Sequence, residues 1–282
     1  MVNVLEVKNL SKKYNEFQLK NVKFSLPQGC IMGLVGENGA GKSTTIKLLL
    51  NLIRRDGGEV EIFGKDNLTH EREIKEDLGV VFDESNFPDN MNAIDISLMM
   101  KNVYKNWDQE IFEGYLRRFA LAPKKRVKDY SRGMKMKLSI AVALSHHPRF
   151  LILDEPTSGL DPMVREEILD IFLEFIQNEE HSILISSHII SDLEKIADYI
   201  TFIHSGEVLF SEAKDQLLED YGILKCSHTE LDQLDKELII GYRKNQFGIE
   251  ALVKRKKLKG KFLVDSVGIE DIMLFYSRGA GK

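Results

Sequence analysis

The sequence has little cysteine, no long hydrophobic run and no excess of basic charge. Its two cysteines, Cys30 and Cys226, stand in no metal-binding or redox spacing, which suits a reducing compartment. No run approaches the ~18 apolar residues that a membrane-spanning helix needs, and the N-terminus lacks the basic and apolar regions of a signal peptide. The net charge of −5 argues against general nucleic-acid binding. We therefore expect a cytoplasmic protein that reaches a membrane only through a partner.

The most informative stretch is rich in glycine and reads Gly36-Glu37-Asn38-Gly39-Ala40-Gly41-Lys42-Ser43-Thr44. It matches the phosphate-binding pattern G-x-x-x-x-G-K-[ST], and it lies between a predicted strand (30–35) and a predicted helix (45–50). The glycines let several backbone N–H groups converge on one anion, toward which the helix also directs its positive end. We predict that Lys42 binds the β- and γ-phosphates of a nucleotide and that Ser43 ligates Mg²⁺.

Three further residues follow buried strands and could complete a catalytic site. Asp154 and Glu155 come directly after the apolar run 150–153, and His188 follows the apolar strand 182–187. In an open parallel sheet, ligands bind at the carboxyl ends of the strands. We therefore predict Asp154 as a second Mg²⁺ ligand, Glu155 as the base for an attacking water and His188 as a donor to the γ-phosphate.

The hydrophobic patterns predict an α/β fold. Alternating segments at 5–10 and 22–26 predict strands of an antiparallel layer, and the segment at 59–64 predicts another alternating strand. Continuous runs at 78–82, 150–153 and 182–187 predict buried strands of a parallel sheet. The polar stretch 11–14 and the segment 56–58, Asp-Gly-Gly, predict turns. The sequence Asp161-Pro162 predicts a helix start, with an N-cap followed by proline at the first helical position.

Two regions leave alternatives open. The stretch from Asp83 to about His147 is helical in pattern and rich in methionine and aromatic residues, which form either core or a docking face for another protein. Residues 211–282 form a predicted small α/β appendage with a basic run at 254–259. That run is either a solvated face or a contact for anionic lipid or a partner.

The motifs together resemble those of ATP-binding cassette (ABC) ATPases. The phosphate-binding loop, Tyr130–Met134, Leu151–Pro156, Ser158–Asp161 and His188 occur in the family's order. The resemblance covers about residues 1–210 and implies a P-loop NTPase fold of the ABC type. In that fold a RecA-like parallel core carries an antiparallel β layer and an inserted helical subdomain at about 84–147. Residues 211–282 are then a C-terminal accessory region.

The resemblance also implies roles for individual residues. Tyr14 would stack on adenine, and Asp161 would communicate across a head-to-tail dimer of ATPase subunits. In that dimer, Ser131 and Gly133 of one protomer would close over ATP bound to the other. His188 would be the switch histidine. The cofactors implied are ATP and Mg²⁺.

Two positions depart from the family pattern. Asp83 stands where a glutamine usually reaches Mg²⁺ and senses the membrane partner, so Asp83 is a candidate metal ligand whose coupling role is open. The signature reads Tyr-Ser-Arg-Gly-Met instead of Leu-Ser-Gly-Gly-Gln, but it keeps Ser131 and Gly133.

The resemblance favours one function over two alternatives. The favoured function is the ATPase subunit of an ABC transporter, of the exporter type linked to drug, antibiotic or peptide efflux. It would bind the inner face of the cell membrane through an integral membrane permease, with no nucleic-acid partner. The alternatives are a soluble ABC-type switch acting on the ribosome or nucleic acid, and a regulatory cassette that does not hydrolyse ATP.

Overall fold

The computed structural model describes residues 2–84, 86–246, 248–258 and 262–279. The strands are β1 (Asn3–Lys13), β2 (Gln18–Pro27), β3 (Ile31–Val35), β4 (Gly57–Ile62), β5 (Lys65–Asp66), β6 (Leu78–Val81), β7 (Phe150–Asp154), β8 (Ser182–Ser187), β9 (Tyr199–His204), β10 (Glu207–Ala213), β11 (Tyr221–Cys226), β12 (Ile239–Asn245), β13 (Gly248–Lys254) and β14 (Val264–Asp265). The helices are α1 (Lys42–Leu49), α2 (Glu71–Glu76), α3 (Ala93–Val103), α4 (Gln109–Arg118), α5 (Arg132–Leu144), α6 (Pro162–Phe175), α7 (Ile190–Ile196), α8 (Lys214–Asp220), α9 (His228–Gln233) and α10 (Ile269–Gly279).

The central sheet has the strand order β10-β9-β3-β8-β7-β6. Its strands β9, β3, β8, β7 and β6 are parallel, and β10 returns antiparallel to β9 as a hairpin. Successive residues of each strand point to opposite faces, and both faces here are covered. In β7, Leu151 and Leu153 pack into the core beneath α3–α7, whereas Phe150 and Ile152 pack into a second core on the other face. Because both faces of β7 are buried, its sequence is a continuous apolar run.

The predicted antiparallel layer is confirmed, with the order β2-β1-β4-β5. Two predicted turns were wrong, because 11–13 belong to β1 and 57–58 begin β4. Lys12 pairs with Leu19 of β2, and Ser11 pairs with Gly57 of β4. Pairing on both edges therefore keeps this polar stretch extended. Gly58 has a φ of +90°, and a Cβ there would lie 2.4 Å from the carbonyl oxygen of Asn9. The glycine thus serves close strand packing rather than a turn.

The methionine- and aromatic-rich region forms α3, α4 and α5, and the first of these helices begins only at Ala93. Side-chain oxygens cap the N-termini of all three helices, as N-cap residues commonly do. Phe112, Leu116 and Phe119 are buried, and Trp107 packs 5.2 Å from Phe112 between ring centroids. For these residues the core interpretation is confirmed.

The C-terminal region forms a separate four-stranded sheet of order β12-β13-β11-β14. It is joined to the rest of the chain by continuous apolar packing, in which the ring centroids of Phe210 and Tyr276 lie 5.0 Å apart. Within the basic run, the Lys256 Nζ lies 3.1 Å from Glu219 and 2.8 Å from Asp220, so its charge is locally compensated. Lys259 lies outside the described residues. None of the helices in the described ranges is long and apolar enough to cross a membrane.

Candidate active site

The phosphate-binding loop joins the end of β3 to the first residue of α1, as the sequence predicts. Gly39 and Gly41 have φ values of +81° and +117°, which few other residues adopt without strain. A Cβ at Gly36 would lie 2.3 Å from the carbonyl oxygen of Ile203, so the loop can approach β9 only without a side chain. The loop leaves Glu37 and Asn38 exposed, and Ala40 buried. This shape fits a cradle for phosphate oxygens.

Lys42 is the first residue of α1, and its side chain turns back over the loop. Its Nζ donates a hydrogen bond to the carbonyl oxygen of Gly36 at 2.8 Å and lies 3.3 Å from Oε1 of Glu155. The two side chains are 6% and 13% exposed, so this ion pair is largely shielded from water. A phosphate bound in the loop would contact the Lys42 ammonium group, which the Glu155 carboxylate already holds in position.

Asp154, the last residue of β7, accepts two hydroxyl hydrogen bonds at Oδ1. Ser43 donates one at 3.2 Å, and Ser186 of the adjacent strand β8 donates the other at 2.6 Å. Sequence reasoning missed Ser186, which is fully buried. The only signal was a hydroxyl residue near the carboxyl end of an apolar strand. Ser186 fixes the orientation of the Asp154 carboxylate, as outer partners of metal ligands do.

Glu155 turns out of β7 with a φ of +52°, an uncommon conformation for a residue with a side chain. Its backbone N–H donates to the carbonyl oxygen of Ser186 at 3.2 Å and to the Ser186 hydroxyl at 3.1 Å. Its Oε2 lies 2.7 Å from Nδ1 of His188. The carboxylate is thus held between Lys42 and His188. His188 lies at the predicted edge of the sheet, and Nδ1 of its ring faces this carboxylate; its contact with a γ-phosphate stays a prediction.

The donors at this edge fit Mg²⁺. Ser43 and Asp154 offer two hard oxygen atoms 3.2 Å apart, and adjacent octahedral ligands about 2.1 Å from Mg²⁺ lie about 3 Å from each other. Mg²⁺ usually takes one or two protein ligands and completes its shell with water and phosphate oxygens. Two protein oxygens beside a phosphate-binding loop are therefore a sufficient set.

Asp83, the third predicted metal ligand, is engaged elsewhere. Its carboxylate accepts a charge-assisted hydrogen bond from the guanidinium of Arg132 in the signature segment. The pKa of Asp83 is raised above its ordinary value, because burial and the nearby carboxylates of Glu155 and Asp154 outweigh the lowering effect of the Arg132 guanidinium. Asp83 therefore lies within electrostatic reach of the site, while its role as a metal ligand stays a prediction.

The remaining predicted residues lie around this cluster. Ser131 caps α5 and Asp161 caps α6, each accepting a backbone N–H, so the predicted helix start at Asp161 is confirmed. A Cβ at Gly133 would lie 3.4 Å from Val164, which places the signature segment against α6. Tyr14 is 44% exposed and has the Nζ of Lys12 5.7 Å from its ring centroid. Its adenine contact stays a prediction, as do the roles of Ser131, Gly133 and Asp161 in a dimer.

Known proteins share this fold. The profile of the ABC transporter family matches residues 19–158. A solved structure described as the ATP-binding subunit of an ABC transporter superposes with a TM-score of 0.67 at 27% identity, covering 76% of this chain and 91% of that one. The structure of cbiO1 from Clostridium perfringens, at 24% identity, shows the same fold with a TM-score of 0.65 over 77% of this chain and 91% of its own.

Two relatives are closer in sequence. The bacitracin transport ATP-binding protein BcrA of Bacillus licheniformis is 36% identical over 214 residues, which is 74% of this chain and 69% of the relative. The lantibiotic transport ATP-binding protein SrtF of Streptococcus pyogenes is 35% identical over 215 residues, which is 75% of this chain and 92% of the relative. These relatives do not favour the alternative of a soluble switch on the ribosome or nucleic acid. The chain belongs to the ABC transporter family and is an ATP-hydrolysing subunit of that family.

Proposed function

We propose that this subunit uses Mg²⁺-dependent ATP hydrolysis to drive export of a drug-, antibiotic- or peptide-like compound through a separate membrane subunit. The observation that carries the proposal is the cluster of Lys42, Ser43, Asp154, Glu155 and His188 at one edge of the sheet. The substrate class follows from the relatives, whose names refer to bacitracin and lantibiotic transport.

Glu155 acts in this proposal as the general base. Its carboxylate is paired with the ammonium group of Lys42, and the phosphates of ATP would compete for that group. Release of Lys42 to the phosphates leaves Glu155 free to accept a proton from the attacking water. His188 and its backbone N–H, at 2.7 and 3.3 Å from Oε2, keep the carboxylate in position. Ser43 and Asp154 would hold Mg²⁺, which would neutralise charge on the phosphate oxygens when bound.

A second ATPase subunit is part of the proposal. The N-terminus of α5 exposes Ser131 and Arg132, and a helix N-terminus stabilises an anion. In a two-fold dimer this end covers the phosphates bound to the partner protomer, which gives two composite sites. We propose such a dimer of like or related subunits, located on the cytoplasmic face of the membrane.

A groove beside the active site suits a segment of the membrane subunit. It has a volume of about 590 Å³ and lies between α2, the end of β6 and the end of α3. Three exposed apolar side chains line it, Leu52, Leu68 and Val103 at 55%, 50% and 60% exposure, and charged residues of α2 form its rim. An apolar floor with a charged rim fits one face of an amphipathic helix. Phe82 also lines the groove. Because Asp83 is the next residue in the chain, a segment that docks in the groove and displaces Phe82 would also displace Asp83.

Capture of the tagged protein from gently solubilised native membranes tests the proposal. We expect a multi-spanning membrane protein to co-purify and to alter the rate of ATP hydrolysis. The variant Val103→Asp should lose this partner, because a charge on the groove floor must be desolvated on docking.

Leu263→Asp is the matched control for that variant. Leu263 is 79% exposed on the C-terminal region, so its replacement adds the same charge away from the groove and should retain the partner. Repeated capture of a dimer that carries no membrane protein would contradict the proposal. Stimulation of its ATPase activity by ribosomes or RNA would point to the soluble switch instead.

A further inference from the structure

Arg132 connects two loops that border the active site. Its guanidinium donates to Asp83, in the loop after β6, and lies against Gly159, in the loop after β7. A Cβ at Gly159 would lie only 3.2 Å from Cζ of Arg132. Because β6 and β7 are neighbouring parallel strands, both loops leave the same edge of the sheet. Arg132 is also the first residue of α5, so one side chain joins the signature segment to both loops.

A second ion pair links α5 to Asp89, which lies a few residues after Asp83. The Nζ of Lys135 lies 3.7 Å from Oδ1 of Asp89. Arg132 and Lys135 are three residues apart in α5 and therefore share a face. Together they hold Asp83 and Asp89 against the first turn of α5. The contacts of Arg132 with Asp83 and Gly159 form the Arg132 clamp.

The location of the pair between Asp83 and Arg132 matters more than its strength. The side chains are 44% and 49% exposed, and exposed ion pairs contribute little to folding stability. The carboxylate of Asp83, however, lies within electrostatic reach of Asp154 and Glu155, which contact Ser43 and Lys42 of the phosphate-binding loop. Without Arg132, the charge of Asp83 adds to the repulsion that an anionic nucleotide experiences.

We propose that Arg132 is a positioning and charge-compensating residue for ATP hydrolysis, which neutralises Asp83 and holds the signature segment against the loop that follows Glu155. The inference rests on the proposed ATP chemistry of this site and adds to it a role for a residue outside the catalytic cluster. It also accounts for two sequence departures at once, because an acidic residue at position 83 is matched by a basic residue at position 132.

Steady-state ATP hydrolysis by three variants tests the inference. Arg132→Gln should raise KM for ATP about tenfold with kcat changed much less, since the uncompensated charge of Asp83 then opposes binding of the anionic nucleotide. The double variant Asp83→Asn/Arg132→Gln removes both charges and should return KM to within about threefold of the wild-type value.

Arg118→Gln is the matched control. Arg118 makes a bidentate ion pair with Glu174 at 2.6 Å and is 39% exposed, on a part of the surface formed by α4 and α6. Its replacement removes a similar ion pair and should leave KM unchanged. Wild-type turnover tests the proposed function by itself, whereas the differences among variants test the clamp.

Three results would overturn the inference. The first is a KM for Arg132→Gln within twofold of the wild-type value. The second is a double variant that is no better than Arg132→Gln, which would mean that Arg132 contacts the nucleotide directly. The third is a double variant that needs far more Mg²⁺ for half-maximal turnover, which would identify Asp83 as a metal ligand instead of a clamp residue.

Discussion

Replacement of Ser186 by alanine tests how the Asp154 carboxylate is held. The Ser186 hydroxyl donates to Oδ1 of Asp154 at 2.6 Å and accepts the backbone N–H of Glu155 at 3.1 Å. A hydrogen bond to a charged group contributes ~1.5–3 kcal/mol. The free energy of unfolding of Ser186→Ala should fall by an amount in this range. The N–H of Glu155 keeps a partner, because it also donates to the carbonyl oxygen of Ser186.

The same change should reduce catalysis. A residue that orients a metal ligand typically changes metal affinity or activity by about 10–100-fold when it is replaced. We therefore expect the kcat/KM of Ser186→Ala to fall by about this factor, with a higher Mg²⁺ concentration required for half-maximal turnover. The assay is steady-state ATP hydrolysis at varied Mg²⁺, at a temperature at which circular dichroism shows the variant to be folded.

Ser182→Ala is the control for this experiment. Ser182 is equally buried in the same strand, but its hydroxyl accepts the N–H of Gly29 at the opposite end. Its loss should cost ~0.5–1.5 kcal/mol, as for a neutral hydrogen bond, and should leave turnover unchanged. Turnover of Ser186→Ala within twofold of that of Ser182→Ala would refute the role assigned to Ser186.

Two further predictions concern ion pairs of known geometry. Lys42→Ala should weaken nucleotide binding at least tenfold, on the order expected for loss of a charge-assisted contact, and calorimetric binding of ATP at the wild-type affinity would contradict this. The hydrogen bond from Arg118 lowers the pKa of Glu174, so this pair stabilises the fold at neutral pH and stops doing so as pH falls through the lowered pKa. Urea unfolding of wild type and Arg118→Gln should differ by about 0.2–1 kcal/mol at pH 7 and converge in strong acid; a difference that persists there would contradict the assignment.

The parts of the site that short-range patterns encode were predictable. The glycine positions of the phosphate-binding loop, the strand ends that carry Asp154 and Glu155, and the proline that starts α6 each depend on a few adjacent residues. The structure places these features where the sequence predicts them. Their physical basis is local, because backbone conformation, strand burial and helix capping are set within one or two turns of chain.

The parts that depend on tertiary neighbours were not predictable. Ser186 reaches Asp154 only because β8 lies beside β7 in the sheet, and a serine in an apolar run does not reveal which strand is adjacent. Asp83 and Arg132 are 49 positions apart, so their pairing follows from the packing of α5 against the sheet edge. For the same reason the turn predicted at 11–14 was wrong, since pairing of β1 on both edges overrides its polar composition.

ATP turnover by Glu155→Gln provides the sharpest test of the proposed hydrolysis mechanism. Glutamine keeps the shape of Glu155 but cannot accept the proton of the attacking water. We predict that turnover is abolished while ATP still binds, and that ATP now holds two subunits together as a dimer in size-exclusion chromatography. Undiminished turnover would contradict the assignment of Glu155 as the base, and with it the proposed mechanism.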